Sequence, residues 1–152
     1  LQMEEAAWDR VIRINLTGAF LMVKAALPAM IARGGGSVIL IASQLGRVAA
    51  PGRPAYCATK GALIQLAKVL AVDHAAQGIR ANTISPGAIE TRRMLRRHKD
   101  MAEARQMMGP KHLLNRLGLP EEIARAAVFL ASDAASFMTG IDLLADGGYT
   151  AV

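Results

Sequence analysis

Three short apolar runs constrain this chain more than any other feature: residues 37–43 (SVILIAS), 79–85 (IRANTIS) and 141–145 (IDLLA). The first shows no polar alternation, is rich in β-branched residues and follows Gly34-Gly35-Gly36. That pattern belongs to a strand buried on both faces, as in a parallel sheet. The second run stops at Pro86-Gly87 and the third at Asp146-Gly147-Gly148. Each is too short to be an ordinary helix.

Helical patterns lie between and before these runs. Residues 4–33 predict one long helix, with Glu4, Glu5 and Asp9 near its positive end and an apolar face through Val11, Ile14, Leu21, Met22 and Met30. Asn15, Thr17 and Gly18 are poor helix formers in its middle, so a local distortion is expected there. A loop over 46–54 leads to a second helix at 55–76, whose Ala58, Ala62, Ala67 and Ala71 form a small-residue surface. Pro120, Glu121 and Glu122 open a third helix reaching about residue 131. Residues 90–117 are polar, Met-rich and less regular. Strand, helix, strand makes a βαβ unit, and the expected class is α/β with a mostly parallel sheet.

Composition narrows the function. Of 152 residues 53% are hydrophobic and 20% charged, which excludes a disordered chain, while 4% aromatic residues leave the core to Ala, Leu, Ile, Val and Met. The single cysteine, Cys57, excludes a disulfide framework and any multi-thiolate site, and it reads as a packing residue. No Asp, Glu and His cluster has metal-ligand spacing, so no metal is expected. Lys24, Arg33 and Lys60 interrupt the longest apolar stretches, no secretory leader is visible, and the expected setting is cytoplasmic with no membrane span. The net charge of +6 is concentrated around Arg92, Arg93, Arg96, Arg97 and Lys99. No aromatic side chain lies among them, so they read as a solvated face rather than a nucleic-acid platform. That face could also draw an anionic substrate inward.

The chemistry gathers at one place. Tyr56 and Lys60 share a helix face one turn apart, and Ser43 stands at the carboxyl end of the preceding strand, where open parallel sheets bind ligands. Using a tyrosine as a base near neutral pH takes a shift of about three units, or ~4 kcal/mol in favour of phenolate. One ammonium ~5 Å away supplies ~3 kcal/mol at an effective dielectric of about 20. Lysine beside the phenol therefore nearly suffices.

These residues, with Asn15 in RINLTGAF, Ser43 in SVILIASQLG, YCATKGAL at 56–63, IRANTISPGAIET at 79–91 and TGIDLLADGG at 139–148, resemble the short-chain dehydrogenase/reductase family over nearly the whole chain. The resemblance implies the later, catalytic half of a Rossmann-type doubly wound parallel sheet and an NAD- or NADP-dependent exchange of secondary alcohol and ketone. Tyr56 would be the acid/base, Lys60 would lower its pKa and hold the nicotinamide ribose, and Ser43 would polarise the substrate oxygen. Asn15 would position a water behind Lys60. Pro86, Gly87, Ile89 and Thr91 would meet the nicotinamide end, and residues 90–117 would form a substrate lid. His98 and His112 fall in that stretch; lone histidines are commonly surface residues, although either could touch substrate. The two long helices and the 120–145 region would pair subunits into a homodimer or homotetramer.

The family's Thr-Gly-x-x-x-Gly-x-Gly phosphate loop and its Asn-Asn-Ala-Gly segment do not occur in these residues. A complete dinucleotide fold needs over roughly 200 residues, so the chain, beginning at Leu1, is expected to be a partial domain about a hundred residues short. The alternative reading is a non-catalytic fragment that keeps only oligomerisation surfaces.

Overall fold

The structure, a computed structural model, describes residues 2–152. It opens with α1 (Glu5–Ala32), in which Arg13–Thr17 form a π-helical turn. The expected distortion at Asn15 is thus a widened turn inside a continuous helix, a feature often found at functional sites. The strands are β1 (Gly36–Ile41), β2 (Ile79–Pro86) and β3 (Asp142–Ala145). All pair in parallel in the order β1-β2-β3, with Gly36 opposite Ile79 and Thr83 opposite Asp142. Ser43 lies two residues beyond the end of β1 rather than within it.

α2 (Pro54–His74) connects β1 to β2 and starts with proline in its first turn, where no N–H is needed. Between β2 and β3 come α3 (Met101–Met108) and α4 (Pro120–Ala131). α3 falls in the stretch expected to be irregular. Its start is set by two bonds: Glu103 N–H donates to Asp100 Oδ1 at 2.8 Å, and Glu103 Oε2 accepts from the N–H of Lys99, one residue before the cap. Asp100-x-x-Glu103 is a capping pattern readable in the sequence.

Helices cover both faces of the sheet. Val38, Leu40 and Ala42 of the first strand and its exit, with Ile79 and Ala81 of β2, pack against Leu63, Ala67, Leu70 and Ala71 of α2, with Leu16, Val23 and Leu27 of α1 behind them. Ile39, Ile84, Leu143 and Ala145 point the other way, onto Ile123, Ala126 and Leu130 of α4. Burial on both sides is why the strand sequences lack alternation. Gly35 and Gly78 let the two strand entrances meet: both have positive φ (136° and 75°), and a Cβ on Gly35 would collide with the Gly78 carbonyl.

Two sequence expectations need correction. By length and apolar content alone, Glu5–Ala32 and Pro54–Gln77 are both sufficient to cross a membrane, because scattered Lys and Arg do not lower their mean hydropathy enough. Both instead lay apolar faces toward the sheet. Within the small-residue surface of α2, Ala67 and Ala71 are buried on the sheet, whereas Ala58 is exposed.

Candidate active site

The end of β1 is tied to α2 by one bond. Lys60 Nζ donates to the Ile41 carbonyl at 2.6 Å. Next to it, the 3-10 turn Gln44–Gly46 lies against α2, and a Cβ on Gly46 would stand 2.8 Å from the Lys60 carbonyl carbon and oxygen. Only glycine permits that approach. Ser43, buried and extended (φ −170°, ψ 154°), starts the turn and accepts from the Leu45 N–H at 3.2 Å. Its own hydroxyl proton has no acceptor among the described residues and remains available.

Tyr56 sits half-buried in the first turn of α2. Lys60 Nζ lies 5.7 Å from its ring centroid, and the Arg93 guanidinium carbon 5.2 Å. The Lys60 ammonium is held below its ordinary pKa, first by burial and second by the Arg93 charge. Asn15 is not bonded to Lys60. Its Nδ2 donates to Thr59 Oγ1 at 3.3 Å, and Thr59 Oγ1 donates to the Tyr56 carbonyl at 2.9 Å. The π turn of α1 is thereby linked to the helix turn bearing Tyr56. Sequence reasoning missed Thr59, whose signal was a hydroxyl one turn after Tyr56, able to bond back to the helix carbonyls.

Residues 86–91 leave the carboxyl end of β2. Pro86 pairs with Ala145, and the Gly87 N–H donates to the Ala145 carbonyl at 3.0 Å. A Cβ on Gly87 would stand 2.9 Å from His112 Nε2 and 3.0 Å from Gln44 Oε1. Ile89 bridges to Gly118, and Thr91 is exposed. Gly87, Ile89, His112 and Asp146 line a cavity of about 180 Å³. Gln44 Oε1, buried beside Gly87, has no donor among the described residues. The unfilled Gln44 acceptor beside Gly87 is the polar group here to which the amide end of a nicotinamide could donate. No residues here match the pyrophosphate end of a dinucleotide, because the glycine-rich loop is absent from the sequence.

His112 is buried, its Nδ1 bonded to the Met108 carbonyl at 2.9 Å and its Nε2 accepting from the Ala88 N–H at 3.2 Å. That pattern requires the neutral tautomer protonated at Nδ1, and it leaves no ring nitrogen for substrate. His112 fastens the 90–117 segment to the loop after β2. Arg105 adds a bidentate pair to Glu90, with both contacts at 2.6 Å. His98 carries a buried Nδ1 without a partner. The basic run forms no helical face, since only Met94–Arg96 make a 3-10 turn. Arg93 and Arg97 line a second cavity with Tyr56, whereas Arg92 and Arg96 do not.

A buried carboxylate also went unnoticed. Asp142 Oδ1 accepts from Thr83 Oγ1 and Ser85 Oγ, both at 2.6 Å, and Oδ2 from Arg47 Nε at 2.6 Å. Its side chain is 1% exposed. Arg47 follows the Ser43 turn, so this network pins that turn to β3. An aspartate inside an apolar run was the available signal, because a buried charge needs partners.

Known proteins resemble this chain over nearly its whole length. Residues 1–150 match the family described as enoyl-(acyl carrier protein) reductase. The chain is 40% identical to 2-(S)-hydroxypropyl-CoM dehydrogenase 3 of Xanthobacter autotrophicus, covering 98% of this chain and 60% of that protein. It is 43% identical to cis-4-hydroxycyclohexanecarboxylate dehydrogenase of Sinomonas cyclohexanicum, covering 99% and 59%. A gluconate 5-dehydrogenase from Burkholderia cenocepacia, solved with NADP and tartrate, superposes with TM-score 0.92 at 37% identity, over 99% of this chain and 59% of that one. The chain therefore spans about 60% of the length of the curated relatives it matches. With its parallel sheet, its flanking helices and these matches, the chain belongs to the short-chain dehydrogenase/reductase family.

Proposed function

We propose that the chain is the catalytic half of an NAD- or NADP-dependent oxidoreductase that interconverts a secondary alcohol and a ketone, with Tyr56 as acid/base. The observation that carries this reading is the Lys60 bond to Ile41, which holds the Tyr56 and Lys60 face of α2 against the strand end leading to Ser43. Dehydrogenases among the relatives support it.

In the oxidative direction the carbinol carbon loses hydrogen with its electron pair, and the hydroxyl proton passes to Tyr56 Oη. In reduction Tyr56 Oη returns that proton. Ser43 uses its free hydroxyl proton to hold the substrate oxygen. Lys60 stabilises the phenolate electrostatically, and the Asn15 to Thr59 link fixes the turn that carries Tyr56. Pro86, Gly87, Ile89 and Thr91, with Tyr56 and Lys60, would hold the nicotinamide end. A nicotinamide bound there supplies the hydride acceptor or donor. Residues 90–117 cover the substrate side. The partner is a second copy of the chain: Phe20 and Val69, each 47% exposed, flank an apolar cleft between α1 and α2 suited to pairing.

Tyr56→Phe in the full-length protein tests the assignment. Loss of several orders of magnitude in turnover, with NADH or NADPH binding retained in a fluorescence titration, is the expected result. Unchanged turnover overturns it.

A second reading is a non-catalytic chain that keeps only subunit-pairing surfaces, such as the apolar cleft between α1 and α2. Saturable micromolar NADH binding by the 152-residue chain counts against it.

A further inference from the structure

We infer that Arg53, Arg93 and Arg97 form an anion subsite beside Tyr56, and that the substrate carries a carboxylate, sulfonate or phosphate group. The inference rests on the proposed role of Tyr56 for its link to turnover, but not for the binding itself.

The three arginines line a cavity of about 280 Å³ together with Asn15 and Tyr56. No acidic residue lines it. Three of the ten other arginines pair with carboxylates: Arg47 with Asp142, Arg105 with Glu90 and Arg116 with Glu122. Among the described residues, Arg53, Arg93 and Arg97 have no carboxylate partner. α2 opens on the same cavity with no acidic residue in its first turn and no side-chain cap, so its positive end adds to the surplus.

The charge balance at Tyr56 points the same way. Lys60 and Arg93 both flank its ring, and Arg93 disfavours the Lys60 charge. An anion brought by the ligand would offset the Arg93 charge and so favour the Lys60 ammonium. Met3, Val11 and Ile14 give the opposite wall an apolar surface for a short hydrocarbon body. Pro86, Gly87, Ile89 and Thr91 do not line this cavity, so the anion comes from the substrate rather than from the nicotinamide end of the cofactor.

The experiment titrates the chain, without cofactor, with 3-hydroxybutyrate, its neutral amide and inorganic phosphate, followed by NMR shifts. 3-Hydroxybutyrate or phosphate should bind saturably, about 10- to 100-fold more weakly in Arg93→Gln and Arg97→Gln. The amide should bind weakly and equally in all variants. Arg96→Gln, on the same basic run but off the cavity, should match the wild type. Binding that is equal for acid and amide, unchanged in Arg93→Gln, or absent for both anions overturns the subsite. Turnover is then measured with NAD and NADP in the full-length protein of which the chain is proposed to be the catalytic half. Arg93-dependent binding without turnover keeps the subsite and removes the oxidoreductase reading. Turnover of neutral alcohols that ignores Arg93 removes the subsite and keeps that reading.

Discussion

Lys60 Nζ reaches the main-chain carbonyl of Ile41 at 2.6 Å, joining α2 to the end of β1 across an otherwise irregular loop. The approach depends on Gly46, whose missing side chain leaves room for the Lys60 backbone. Gly46→Ala must displace either the turn or the helix, since the blocking atoms are main-chain atoms as well as Ile64 Cδ1. Urea unfolding should show a loss of about 1–3 kcal/mol, the usual cost of overpacking. An unchanged midpoint would mean that the loop gives way freely.

The Asp142 network should be felt through its buried hydroxyls. Arg47 is 45% exposed, so its pair with Asp142 is partly screened. Thr83 and Ser85 are 0% exposed and lose their acceptor in Asp142→Ala. The expected cost is about 1–3 kcal/mol, smaller in Asp142→Asn, which keeps one acceptor oxygen. Equal stability of Ala and Asn variants contradicts this account.

His112 clamps the 90–117 segment, so His112→Ala should speed limited proteolysis between residues 91 and 111. Each orphaned buried partner costs about 1–3 kcal/mol in the folded state. Cleavage at the wild-type rate would show that the clamp carries no load.

Glu122 is held at a pKa of about 2, first by the Arg116 guanidinium and second by the Leu119 N–H. Its folded value lies below the unfolded one of ~4.3. The stabilisation is therefore complete above that pH and is lost as pH falls toward the folded value. Carboxyl NMR titration should find the depressed pKa, and Arg116→Gln should raise it. An ordinary value in the wild type contradicts the pairing.

If the cleft between α1 and α2 pairs subunits, Phe20→Asp should convert the assembly to monomers in sedimentation, because a charge would be buried there. A sedimentation profile matching the wild type would place the interface elsewhere.

The sheet was legible because its strands are short runs between glycines and prolines, and α1 and α2 because their apolar period is long. The distortion at Asn15 was legible from three poor helix formers in sequence. α3 could have been read from Asp100 and Glu103, but the polar composition around them masked it.

Tyr56 and Lys60 stood out because they are neighbours on one helix, a relation that local geometry fixes. Chain composition and period thus determined the class, the strand and helix order, and the pairing of Tyr56 with Lys60 on one helix face. Tertiary structure alone decided the rest. Asp142 meets Ser85 and Arg47 across separations of 57 and 95 residues, and His112 meets Ala88 across 24. Arg93 stands over Tyr56, while its neighbours Arg92 and Arg96 do not line that cavity. Periodicity and propensity record interactions within a turn or two of the chain. Which distant surfaces meet, and which charges stay unmatched there, depends on packing that only the folded molecule contains.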